Sequence, residues 1–149
     1  MKVKIDARRQ ALRFLERMDR TEHELAIKLK DKGYDDDEIN DAIGFVKSYN
    51  YVNDKRFTEH FIEIHIGSKS RRRINYDLKN KGINDNLIED AWYKFEPYDE
   101  KNLIIKQLLK KVDPENPPEF NELQKIKSSL VRKGFNLSDI NSVVSEYLT

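Results

Sequence analysis

The chain has 149 residues, with 28 basic and 27 acidic side chains and a net charge of +1, so no global basic field announces nucleic acid and any attraction to phosphate must come from local placement. It contains no cysteine, which excludes disulfides, thiolate zinc sites and a cysteine nucleophile. It also has no apolar leader and no run near the ~20 apolar residues that span a bilayer, so a soluble, cytoplasmic protein is expected.

From the N-terminus, the first apolar-periodic segment holds Ala7, Ala11, Phe14, Leu15 and Met18. A capping box from Thr21 to Glu24 opens a second, with Leu25 and Leu29 on one helical face. Gly33, after Lys32, reads as a left-handed C′ residue that ends it. Past Tyr34, Asp36 reads as the cap of a third helix, in which Ile39, Ala42, Ile43 and Val46 follow the i, i+3, i+4, i+7 pattern. Gly44 lies inside that helix, where it costs stability relative to alanine. The link from Ser48 to Lys55 carries Tyr49 and Tyr51, placed to wedge between neighbouring modules.

The pattern then returns. Phe57, Phe61 and Ile64 mark a new first helix, and Ser70 takes the offset of Thr21. Ile74 and Leu78 lead to Lys81-Gly82 and Ile83. Asp85 reads as a cap ahead of Ile88, Ala91, Trp92 and Phe95. Glu96-Pro97-Tyr98 stops the helix. A third copy runs through Leu103, Ile104, Leu108 and Leu109, and a proline-containing loop follows from Asp113 to Glu119. A box from Asn121 to Gln124 then precedes Ile126, Leu130, Lys133-Gly134 and Phe135. Ser138 or Asn136 caps the last helix, with Ile140, Val143, Val144 and Tyr147. Coincidence of these columns in three copies makes the chain an internal repeat of about fifty residues.

The expected fold is all-α, with three tandem three-helix repeats over residues 1–52, 53–98 and 99–149 and about nine helices in all. A unit of about fifty residues buries little apolar surface alone. Stacking into an elongated, curved molecule is therefore expected.

Chemistry is scarce. His60 and His65 stand about 140° apart on a helix at 3.6 residues per turn, not the i, i+4 spacing that seats two imidazoles on one ion. No phosphate-binding glycine loop, nucleophile elbow or kinase signature occurs. The acidic run from Asp35 to Glu38 sits at a helix start, where the macrodipole favours acids. No enzyme activity, cofactor or metal is expected. The apolar columns recur because each module needs a core, so function is sought in what does not recur. Taking Ile74 and Leu78 as inward, Arg72, Tyr76 and Lys79 point outward, with Arg73 flanking them. The other copies have no such basic face with an aromatic set in it. Arg71 and Lys81 extend this candidate surface, and the basic helix ends at Lys32 and Lys133 are secondary candidates. Three arginines in one first turn oppose the macrodipole at about 0.3–1 kcal/mol each when exposed. Two readings stay open: a solvated charge run paired with neighbouring acids, or a face for a partner or phosphate.

Three stretches bear a family likeness. They are ALRFLERMDRTEHELAIKLKDKGY (Ala11 to Tyr34), YVNDKRF (Tyr51 to Phe57) and RINYDLKNKGI (Arg73 to Ile83). The chain resembles the RecX family of bacterial regulators of the RecA recombinase, across its length and most strongly over the first two repeats. Asn50 departs from the family's usual glycine, Asn53 from an aspartate, and Ser70 from a frequent glycine. The resemblance implies tandem three-helix modules that bind along the RecA–DNA filament and restrain its ATPase and strand exchange. It thereby implies a role in homologous recombination, DNA repair and the SOS response. Expected partners are the RecA filament and the single-stranded DNA within it, with direct DNA contact at most weak, for a monomer. A stand-alone DNA-binding protein of helix-turn-helix-like modules is the alternative. Asp36, Asp37, Glu38 and Asp41, and Asp85, Glu89 and Asp90, weigh against it, because these acids on the third helices repel phosphate.

Overall fold

The structure, a computed structural model, describes residues 5–148. Among them the secondary structure is helical: α1 Ala7–Arg17, α2 Glu22–Asp31, α3 Asp36–Ser48, α4 Asp54–His65, α5 Arg71–Asn80, α6 Asp85–Trp92, α7 Glu100–Lys111, α8 Phe120–Arg132 and α9 Leu137–Leu148. A 3-10 turn, Tyr93–Phe95, follows α6. No described residue lies in a strand; Asp113 and Asn116 form an isolated bridge in the proline-containing loop. No described helix is long and apolar enough to cross a membrane.

The three glycine columns mark one recurring turn. Gly33, Gly82 and Gly134 have φ of 92°, 85° and 95°. In each, the glycine N–H donates three residues back, to Lys30, Lys79 or Val131. The next N–H, from Tyr34, Ile83 or Phe135, donates to the carbonyl of Leu29, Leu78 or Leu130. This is the Schellman motif, whose apolar contact joins the residue after the glycine to the helix's last inward residue. Asn50, φ 61°, makes the same turn after α3, with Tyr51 N–H donating to Val46.

The next residue caps the following helix, one position earlier than predicted in the first two copies and at Asn136, one of the two expected residues, in the third. Asp35, Asn84 and Asn136 accept from backbone N–H groups of Glu38, Leu87 and Ser138, so Asp36 and Asp85 lie inside their helices. Glycine and its apolar follower occupy two positions, and the third must be the extended residue whose side chain turns back. The predicted box at Asn121–Gln124 is absent. Pro117 and Pro118 hold the incoming chain extended, α8 starts directly after at Phe120, and its N-cap Glu119 makes no side-chain cap bond.

The described chain forms two compact units, and the division falls within α4 and α5. The first comprises residues up to His60 with Leu78–Trp92, and the second comprises Phe61–Asp77 with residues from Tyr93 onward. In the first, α1, α2 and α3 close over Ala11, Leu25, Leu29, Ala42 and Val46, each with no exposed surface. Leu78, Ile83, Ile88, Ala91 and Trp92 are also buried there. The second unit's core joins Ile104, Leu108, Leu130, Phe135, Ile140 and Val143 from α7, α8, the turn and α9, and Ile62 and Ile74 are buried in that unit. Every apolar column nearest the glycine turns is thus buried in all three copies. Columns farther out are less so: Phe95 is half-buried, and Met18, Ile64 and Leu109 are exposed. Tyr49 and Tyr51 do not wedge into a core. They stay 61% and 50% exposed and stack on one another at 5.7 Å, because the left-handed turn at Asn50 sends Val52 inward instead.

Candidate functional site

The site begins at Ser70, a fully buried polar residue at the start of α5. Its Oγ accepts from the N–H of Arg73 at 3.0 Å, and its own N–H donates to the Lys133 carbonyl at 3.0 Å. The N-terminal turn of α5 is thereby docked on the C-terminal turn of α8. A Cβ at Gly134 would collide with the Ser70 and Arg73 side chains, so the glycine is needed for close approach as well as for its φ. The first unit repeats the arrangement. Thr21 completes its capping box with Glu24 and donates its hydroxyl to the Lys81 carbonyl, and a Cβ at Gly82 would run into His23.

This junction accounts for the arginine run. Three cations in the first turn oppose the dipole of α5, but Arg72 and Arg73 lie against the carbonyl-rich end of α8, which attracts them. Arg72 donates to the Gly134 carbonyl at 3.2 Å. Arg73 ion-pairs with Asp77 at 3.3 Å and lies 5.8 Å from the Tyr76 ring centre. Lys69 shares Asp77 at 3.1 Å, so two cations meet one carboxylate. Arg71 is tied down more fully. Its guanidinium pairs with Glu96 at 3.3 Å, and its N–H donates to the Tyr98 phenol, which burial above all, with Glu100, pushes up to about 12.

Between the two helix ends lies a groove of about 280 Å³ lined by Arg72, Arg73 and Tyr76 from α5 and by Val131, Arg132 and Gly134 from α8 and its turn. Tyr76 is 59% exposed and presents its ring beside the guanidinium groups. Arginine with tyrosine suits planar recognition of phosphate or carboxylate.

The remaining predicted residues lie elsewhere. Lys79 is exposed in the first unit and pairs with Asp85 at 3.1 Å. Lys81 pairs with Glu24 at 3.3 Å. Lys32 is exposed at the C-cap of α2. Lys133 is half-buried and donates to Gln107 Oε1 at 3.2 Å, while the Gln107 amide donates to the Gly67 carbonyl. Burial, then Lys111 and Lys110, holds the Lys133 ammonium below its usual range. It pins α8 to its neighbours. Arg132 and Val131 were missed from sequence. The available signal was that Arg132 fills a column held by Asp31 and Asn80 in the other copies.

The sequence model of the first three-helix domain of RecX matches residues 7–45, and that of the second matches residues 53–91. The chain belongs to the RecX family. A regulatory protein RecX of Caldanaerobacter subterraneus subsp. tengcongensis is 33% identical over 141 residues, covering 94% of this chain and 70% of the relative. One from Clostridium perfringens is also 33% identical, over 143 residues, 94% of this chain and 68% of its own length. The crystal structure of RecX from Lactobacillus salivarius superposes with a TM-score of 0.71 at 26% identity, covering 95% of this chain and 94% of that one. A second crystal structure of regulatory protein RecX gives 0.69 at 25%, covering 93% of this chain and 70% of that one. Tandem three-helix RecX domains and a regulatory role follow from this membership.

Proposed function

We propose that the chain regulates the RecA recombinase by binding the RecA–DNA filament and restraining its ATPase and strand exchange, so limiting recombination and DNA repair. Family membership supports the regulatory role. The observation that carries the binding surface is the groove in which Arg72, Arg73 and Arg132 converge around exposed Tyr76. It would engage an acidic protein surface of the filament or the phosphodiester of its single-stranded DNA. The exposed acids Asp36, Asp37 and Glu38 in the first turn of α3 disfavour insertion of that helix into a duplex groove, so the filament is preferred over bare DNA as the partner.

The test is RecA-filament ATPase against inhibitor concentration, for the natural chain and for Arg72→Glu/Arg132→Glu. Arg73 is left in place because glutamate there would face Asp77. Inhibition should weaken by about tenfold or more, equivalent to 1.4 kcal/mol or more, with the melting midpoint little changed. Superimposable inhibition curves from two equally folded proteins would rule the groove out as the binding surface.

A further inference from the structure

The second unit carries another cavity that shares no lining residue with the arginine groove. It is an open cleft of about 660 Å³ between the end of α4, the 3-10 turn, the Pro97 linker and one face of α7. Its walls are Ile66, Phe95, Pro97, Leu103 and Leu109, with Leu109 42% exposed. Lys106 and Lys110 stand one helical turn apart along its α7 edge. Neither ammonium has an ion-pair partner among the described residues. Lys110 at the end of α7 answers the helix dipole, but Lys106 lies mid-helix, where that explanation does not reach. Asp99 is the one carboxylate in the lining, and its Oδ1 is already engaged by the Asn102 N–H at 3.1 Å. The rim is therefore cationic over an apolar floor.

We propose that this cavity docks a segment of a partner polypeptide in which an aliphatic or aromatic side chain is flanked by acidic residues. Its volume lies within the ~300–1,000 Å³ typical of ligand clefts, and its walls of Ile66, Phe95, Leu103 and Leu109 suit an apolar anchor with neighbouring residues of the same segment. The lysine edge selects the sign of the flanking charge, since cationic segments would be repelled. The site is separate from the groove proposed to contact the filament, so either can fail without the other.

The experiment uses the full chain as bait for a displayed library of short random peptides. Recovered peptides are then synthesised and measured by fluorescence anisotropy against the natural chain, Lys106→Glu/Lys110→Glu and Leu109→Ser. Enriched sequences should carry an apolar anchor beside Asp or Glu. Their affinity should fall by about tenfold or more on both variants and remain unchanged on Arg72→Glu/Arg132→Glu. Should the double glutamate variant fold poorly by its melting midpoint, Lys106→Gln/Lys110→Gln serves in its place with a smaller drop expected. Absence of enrichment, enrichment of basic peptides, or equal binding to the Lys106/Lys110 variants would overturn the proposal. So would displacement of the selected peptides by laurate at concentrations that saturate the natural chain alone, which would reassign the cavity to a small anionic amphiphile. Self-association of the natural chain that Leu109→Ser abolishes would reassign it to a second copy.

Discussion

A side chain added at Gly44 meets open space, whereas one added at Gly82 would run into His23. Gly44→Ala should therefore raise stability by about 0.5–1 kcal/mol, the usual helical cost of glycine. Gly82→Ala should lower it by at least ~1–2 kcal/mol from the left-handed backbone alone. Urea midpoints of the two variants check both signs, and equal losses would refute the assignment of the turn. Asn50 already occupies a left-handed conformation at φ 61°, where its short polar side chain is tolerated. Asn50→Gly relieves that backbone but removes the oxygen that accepts from the Asn53 amide at 2.7 Å, so its net effect should be smaller than the loss at Gly82. Asp54 offers a pH-dependent test. Its carboxylate accepts from the Glu22 N–H at 2.9 Å, and burial pushes its pKa up from 3.8. Folded protein thus holds that proton more tightly than unfolded chain. Its contribution is most favourable below the unfolded pKa and is lost as pH rises through the raised folded value. Asp54→Asn should remove that loss, so the natural chain and the variant should diverge across the window above pH 3.8 in thermal melts.

At the scale of the element, α5 is held at both its ends. Its start is docked on Lys133 and Gly134, and the Lys81 carbonyl just past its end accepts from the Thr21 hydroxyl. Thr21→Ala removes a cap and a docking contact, whereas Ser70→Ala removes the cap on Arg73 N–H and leaves the backbone bond to Lys133 in place. Each should cost about 0.5–2 kcal/mol in chemical denaturation. An equivalent change at Ser138, inside α9 and exposed, should cost much less. For α6, Trp92 is 1% exposed and fills the position that Val144 takes in α9. Trp92→Ala should cost roughly 3–5 kcal/mol. An unchanged melting midpoint would contradict its place in the core.

For the whole molecule, a net charge of +1 means that long-range steering is weak and that salt sensitivity must come from local clusters. If the three groove arginines neutralise phosphates of the filament's single strand, log affinity should fall with log salt at a slope of about −2, at roughly −0.7 per contact. Arg132→Ala should make the slope shallower by about one contact. A slope near zero, with binding retained, would move the arginines onto protein or off the interface. Filament-binding titrations at several salt concentrations make this measurement.

Periodicity alone determined the all-helical class, the threefold repeat and the inward columns, because each copy must bury the same stripe and end its middle helix with the same left-handed turn. Leu29, Leu78 and Leu130 with their glycines carry that information locally, within one or two turns of helix. The basic residues do not. Arg71, Arg72, Arg73, Lys79, Lys81 and Lys133 look alike as a charge run. Folding ties Arg71 to Glu96, Lys79 to Asp85 and Lys81 to Glu24, and turns Lys133 toward Gln107. It brings Arg132, 60 positions after Arg72 in the chain, into the same groove. Apart from Arg73–Asp77 within α5 and Lys79–Asp85 across the next turn, which charges are consumed internally and which converge depends on contacts between distant segments. Helical spacing has no access to these, and only the tertiary structure decided them.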